Sequence, residues 1–157
     1  MFGLFNSNKN RNVLTAPSRG VVHDLSEGKD QVFADEIMGP GCFIVPDEEG
    51  KVYSPCDGIV SVVFPTLHAY GLTSNSGVEI VIHIGVDTVE LNGELFESHV
   101  KKDQVVKKGD LLASFNLKEM IDRKIIPDIF IVFPNKKGEK MTINFGNVKV
   151  GDKLVEF

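Results

Sequence analysis

Apolar and polar positions alternate along this chain over short stretches separated by turn-forming residues, a pattern that predicts many strands and little helix. The clearest stretch is Val78–Val86, rich in β-branched residues, which reads as one strand. With a period of two, Ile80, Ile82 and Ile84 point into a core, and Val81, His83 and Gly85 share the outer face. That places an imidazole beside a residue with no side chain to block an approaching partner. Ile129–Phe133 is uniformly apolar and predicts a buried strand. Gly39-Pro40-Gly41, Pro46–Gly50, Thr73–Gly77 and Pro134–Gly138 supply the turns between strands. One helix is expected from Leu117 to about Lys124. There Asn116 is the cap, and Glu119 is expected to reach back to its backbone amide.

Two patterns occur twice. Ala16-Pro17-Ser18-Arg19-Gly20-Val21-Val22 has the form of Ser54-Pro55-Cys56-Asp57-Gly58-Ile59-Val60. Val106-Lys107-Lys108-Gly109-Asp110-Leu111 has the form of Val148-Lys149-Val150-Gly151-Asp152-Lys153. Each Gly-Asp pair opens an apolar strand after a short Val-Lys strand. Two copies are too few for a solenoid, so the chain reads as one duplicated β-domain whose halves share a core: an all-β antiparallel sandwich or barrel-like fold with one or two short helices.

Composition narrows the classes. The chain has 157 residues, 42% of them hydrophobic and 25% charged, enough for one substantial core. No apolar run approaches the length of about 18 residues that spans a bilayer, and the start, Met1-Phe2-Gly3-Leu4-Phe5, is too short for a signal peptide, so a cytoplasmic protein without stable membrane insertion is expected. Cys42 and Cys56 have no metal-ligand spacing and read as reduced structural thiols. A net charge of −5 argues against nucleic acid as a partner, and Lys101, Lys102, Lys107 and Lys108 read as a solvated face.

Thr66-Leu67-His68-Ala69-Tyr70, followed by Ser76–Leu91 with His83 at its centre, resembles the active-site region of the glucose-family enzyme IIA domain of the bacterial phosphoenolpyruvate-dependent sugar phosphotransferase system. The resemblance extends through Ala16-Pro17, Val32-Phe33-Ala34, Asp57-Gly58 and Gly109-Asp110. It makes residues 13–157 the phosphocarrier domain and 1–12 a flexible leader, and the chain is expected to act free-standing. The resemblance implies that His83 is the phosphoryl acceptor, that His68 is its neighbour in the site, and that Thr66, two residues earlier on the same strand face, fixes the His68 tautomer. A neutral imidazole has a free lone pair near pH 7 and takes a phosphoryl group without a strong base. The resemblance also places Val32, Phe33 and Phe64 on an apolar rim, Val81 on the same docking face, and Asp30 and Asp87 where they pair with arginines of partners. Those partners are the histidine phosphocarrier protein as donor and an enzyme IIB domain, through its cysteine, as acceptor. Asp30 and Asp87 have a competing role as turn caps, and Phe33 and Phe64 a competing role as core residues.

Other classes compete. His68 and His83 near carboxylates could hold zinc, as a hydrolase or as a regulatory site shared with a partner's carboxylate, though no His-Glu-x-x-His helix is present and no cofactor is required by the carrier function. The Val-Lys-x-Gly-Asp pattern also suits a lipoyl-type carrier or a structural β-module, but no lysine occupies a convincing modification turn. His23 and His99 match no motif.

Overall fold

The duplication seen in the sequence is built into the way the strands pair. The computed structural model describes residues 13–157, so the expected leader lies outside the described residues. In chain order the first elements are β1 (Val13–Thr15), β2 (Gly20–Asp24), α1 (Gln31–Ala34), β3 (Gly41–Pro46), β4 (Lys51–Tyr53), β5 (Gly58–Val63), β6 (Ala69–Ser74) and β7 (Glu79–Ile84). They are followed by β8 (Phe96–Ser98), β9 (Val105–Val106), β10 (Leu111–Phe115), α2 (Leu117–Asp122), β11 (Ile129–Val132), β12 (Thr142–Ile143), β13 (Gly146–Val148) and β14 (Lys153–Glu156). A large antiparallel sheet runs β13-β2-β3-β11-β7-β6-β5-β9, and two smaller sheets run β1-β14-β12 and β4-β10-β8. This is the all-β antiparallel architecture that the alternation predicts.

Each copy of the first motif meets a copy of the second in a matching way. Ala16 N–H donates to the Asp152 carbonyl and Ser54 N–H to the Asp110 carbonyl, both at 2.7 Å. Gly151 N–H returns to Ala16 at 3.1 Å and Gly109 N–H to Ser54 at 2.9 Å. Asp110 and Asp152 each accept the amide of the lysine three residues earlier at 2.8 Å, which closes the turn that the Gly-Asp pair makes. Gly109 and Gly151 sit at φ +91 and +90, a left-handed conformation that strains other residues. An approximate twofold therefore relates β13-β2-β3-β11 to β9-β5-β6-β7, with its axis between β11 and β7. On that axis Ile82 pairs with Ile131, so the position that carries His83 in one half carries Val132 in the other.

The main core takes Ile80, Ile82 and Ile84 on one face of the large sheet, together with Ile129 and Ile131. Phe130 and Val132 alternate to the other face and join Leu25, Phe33 and Phe43 in a smaller cluster under α1. β11 is thus buried on both faces, which explains its unbroken apolar run. Several boundaries differ from expectation. β7 spans Glu79–Ile84 rather than Val78–Val86, because Gly85 turns the chain at φ +80. β6 continues to Ser74, inside the expected Thr73–Gly77 turn. α2 ends at Asp122, and its capping box is only half formed. Asn116 accepts the Glu119 amide at 3.0 Å, but the Asn116 amide is already taken by the Leu95 carbonyl and the Glu119 carboxylate pairs with Arg123.

Candidate functional site

His83 lies on β7 between Ala69 of β6 and Phe130 of β11. His68 comes from the turn that joins β5 to β6, and its backbone carbonyl accepts the Ile84 amide at 2.8 Å, so the two histidine-bearing segments are tied together. The two rings meet edge to face, with centroids 4.8 Å apart and planes at 86°. Thr66 Oγ1 lies 2.7 Å from His68 Nδ1. The contact follows from the turn and not from a shared strand face: β5 ends at Val63, Leu67 donates to the Phe64 carbonyl, and Leu67 itself is left-handed at φ +61. A hydroxyl two residues away reaches the ring because the chain folds back on itself.

The site is more enclosed than the alternation implies. His68 is only 4% exposed and His83 is half-buried. Phe33 lies 5.0 Å from the His83 ring, Phe130 lies 6.2 Å from it, and Phe64 stands edge-on to His68 at 5.6 Å. This burial pushes the His83 pKa down to about 4; a charge on His68 would push the same way, while Asp30 and the Gly85 backbone pull it partly back. Burial lowers His68 as well. His83 Nδ1 is buried and makes no hydrogen bond of ordinary geometry, which leaves Nε2 as the nitrogen a partner can reach. At neutral pH both imidazoles are uncharged, and His83 keeps a free lone pair.

Around the histidines the expected docking residues separate. Val32 is 45% exposed and Phe64 37% exposed, as a rim requires. Phe33 is not on the rim: it is 5% exposed because its ring stacks on Phe130 at 4.4 Å, so it walls His83 from below. Val81 is half-buried against the same cluster. The Asp30 carboxylate accepts the Val32 amide at 3.1 Å and caps α1, so the capping role is formed even as the residue faces His83 electrostatically. Asp87 is exposed, sits at φ +59 and makes no capping bond. Beside it opens a cavity of about 300 Å³ lined by Val86, Glu90, Leu91, Lys124 and Ile126. Sequence reasoning passed over Ile37 and Met38, which follow α1 and are exposed beside Val32; their only signal was an apolar pair directly before Gly39-Pro40. It also passed over Phe130, hidden in a run with no alternation to orient it.

Among the described residues no group of three or more His, Cys, Asp or Glu could hold a metal ion. His68 and His83 supply two imidazoles, half of a tetrahedral zinc set. Cys42 and Cys56 are buried free thiols, and burial raises their pKa values to about 12 and about 11. His23 stacks on Phe43, and His99 Nε2 lies 2.8 Å from Ser114 Oγ; neither touches the site. No helix among the described residues is long and apolar enough to cross a membrane.

Residues 12–139 match the family described as phosphoenolpyruvate-dependent sugar phosphotransferase system, EIIA 1. Among solved structures, the glucose permease IIA from Mycoplasma capricolum superimposes with a TM-score of 0.84 at 38% identity, over 91% of this chain and 93% of that one. A family match across most of the chain and a shared fold at that identity make this protein a member of the EIIA 1 family of the phosphoenolpyruvate-dependent sugar phosphotransferase system, and so a phosphotransferase component of sugar transport.

Proposed function

We propose that this chain is a phosphoryl carrier that accepts a phosphoryl group on His83 Nε2 from the histidine phosphocarrier protein and passes it to a cysteine of an enzyme IIB domain. The observation that carries this is the pair of edge-to-face imidazoles, one half-exposed with its Nδ1 buried, the other held at Nδ1 by Thr66. In the first step the lone pair of neutral His83 Nε2 attacks phosphorus, and the donor's imidazole nitrogen leaves with the electrons of the broken P–N bond. In the second, a thiolate of the acceptor attacks the same phosphorus and His83 takes back its electron pair. The Thr66 hydroxyl donates to His68 Nδ1, which keeps the His68 proton on Nε2, where it donates to a phosphoryl oxygen. Catalysis is then positioning and charge stabilisation, as phosphoryl transfer requires. Val32, Ile37 and Met38 with Asp30 and Asp87 make an apolar surface rimmed by acids, suited to transient docking of arginine-bearing partners. A zinc ion would find only two ligands here and would need a partner to complete its set, so the transfer is written without one.

The test is phosphorylation from phosphoenolpyruvate through enzyme I and the histidine phosphocarrier protein. Wild type takes an acid-labile, alkali-stable label, His83→Ala takes none, and His68→Gln accepts but fails to donate. Folded wild type that takes no label would overturn the carrier function.

A further inference from the structure

A regular continuation of the large sheet would put His68 on the wrong face to meet His83. Tyr70 pairs with Ile82 and both side chains enter the main core, whereas Ala69 pairs with His83 on the other face. Alternation then sends His68, two residues before Tyr70, toward the core. The register agrees, because His68 comes opposite Ile84 and directly paired residues of an antiparallel sheet share a face. Ile84 is a fully buried core residue, yet the His68 ring stands edge-on to His83, with centroids 4.8 Å apart. The ladder has to be interrupted at His68 for the two rings to meet.

A hydrogen-bonded antiparallel pair exchanges both of its amides and carbonyls. Between His68 and Ile84 half of that exchange is made. The Ile84 amide donates to the His68 carbonyl at 2.8 Å, but among the described residues no return bond runs from the His68 amide to the Ile84 carbonyl. That carbonyl accepts the Thr88 hydroxyl instead. With its carbonyl held and its amide released, His68 is turned about its Cα–C bond, which takes the N–H out of the ladder and the side chain off the core face. Thr88 reaches the carbonyl because the chain doubles back after β7. Gly85 at φ +80 and Asp87 at φ +59 make the turn, and the Gly85 and Val86 amides anchor it to the Asp128 and Ile126 carbonyls at 2.7 and 3.0 Å. Thr88 is 1% exposed, and its methyl carbon stands where a Cβ on residue 85 would have to go.

Resting on the carrier function proposed above, we infer that Thr88 is a positioning residue for the transfer: its hydroxyl occupies the Ile84 carbonyl and so keeps the His68 ring beside His83. Without the hydroxyl a buried carbonyl loses its partner, an arrangement that folded proteins rarely keep. The donor in register with that carbonyl is the His68 amide, and closing that bond completes the ladder and swings the ring toward the core face. His83 keeps its place, because its own pairing with Ala69 and Phe130 does not involve Thr88. Acceptance and donation therefore separate. His83 still takes the phosphoryl group, but without the His68 N–H on a phosphoryl oxygen it passes the group on slowly. A misplacement of about 1 Å costs a positioned step about a hundredfold, so a ring that spends part of its time displaced costs about tenfold.

The experiment compares wild type, Thr88→Val, Thr88→Ser and His68→Gln in two half-reactions: acceptance from the phosphorylated histidine phosphocarrier protein, and donation from the phosphorylated chain to an enzyme IIB domain. Thr88→Val keeps the side-chain shape and loses the hydroxyl, whereas Thr88→Ser keeps the hydroxyl and loses the methyl. Thr88→Val should leave acceptance within about twofold and lower kcat for donation about tenfold with KM unchanged, the behaviour of His68→Gln, while Thr88→Ser donates within about threefold of wild type. The imidazole C–H shifts of His68 should also move in Thr88→Val, since the ring no longer stands edge-on to His83. If Thr88→Val does not fold, Thr88→Ala set against Thr88→Ser isolates the same hydroxyl. Wild type without label overturns the carrier function and this inference with it. Wild type that labels and donates, with the chain lacking the hydroxyl donating within about twofold of Thr88→Ser, overturns the inference alone and leaves Thr88 as core filling. Equal losses of acceptance and donation also overturn it, because they report a general loss of structure and not a displaced His68.

Discussion

His83 is expected to make the protein lose stability as the pH falls, over a window set by its burial. In the unfolded chain the imidazole titrates at the ordinary 6.5, whereas in the folded site burial, and any charge on His68, hold it near 4. Between those values the unfolded chain binds a proton that the folded chain refuses, so the stability that the neutral, folded His83 contributes is complete above about pH 6.5 and is lost as the pH falls to about 4. The interval of about 2.5 units, at ~1.36 kcal/mol per unit, is worth about 3 kcal/mol. The perturbation is His83→Gln, which keeps a polar side chain of similar size and cannot take the proton. Urea denaturation of wild type and variant from about pH 7 to about pH 4 should show wild type losing about 3 kcal/mol more than the variant. Part of the His68 titration is common to both chains and cancels; its coupling to His83 is the remainder. Imidazole C–H shifts followed by NMR give the same pKa directly. About one ring in a thousand is protonated at neutral pH, so under the proposed carrier function phosphoryl acceptance should stay flat well below the pH at which an exposed histidine is half blocked. Parallel stability curves, or a His83 resonance that titrates near 6.5, would refute the argument that burial sets the charge state of His83.

Other consequences follow from single contacts. Thr66→Val removes the partner of His68 Nδ1 at 2.7 Å while keeping the side-chain shape. The lost hydrogen bond, worth about 1 kcal/mol, should slow transfer from His83 by roughly five- to tenfold with little change in the circular dichroism spectrum. Phe130→Ala empties the fully buried position beneath both Phe33 and His83 and should destabilise the fold by about 3–5 kcal/mol in denaturant titrations, whereas Phe64→Ala, on the exposed rim, should cost well under half of that. Cys42 and Cys56, buried and with thiolates strongly disfavoured, should resist an aromatic disulfide reagent in the native state and react only on unfolding; rapid native labelling of Cys42 would contradict its burial.

Much of the large sheet was legible because one face is buried and the other is not. Ile80, Ile82 and Ile84 alternate with Glu79, Val81 and His83, and the period alone assigns their faces. Where that asymmetry fails, so does the pattern. Phe130 belongs to a strand covered on both sides, so nothing in Ile129–Phe133 shows that one phenylalanine turns toward the histidine. The family resemblance placed Phe33 on the rim, yet α1 is so short that a single ring, stacked on Phe130, decides which way the segment packs. The Asn116–Glu119 box was drawn from local chemistry, and a carbonyl from Leu95, twenty-one residues away in the chain, took the amide it needed.

By itself, then, the sequence determined the strand-rich class, the internal duplication and the residue types at the candidate centre, because each is written in local period, turn chemistry or repeated spelling. Tertiary structure alone decided that the two halves meet about an axis between β7 and β11, that His68 swings in from a turn to stand edge-on to His83, and that aromatic walls hold the His83 ring uncharged. Those outcomes depend on groups distant in sequence sharing one low-dielectric volume, and neither a distance nor a dielectric is encoded in any single segment of the chain.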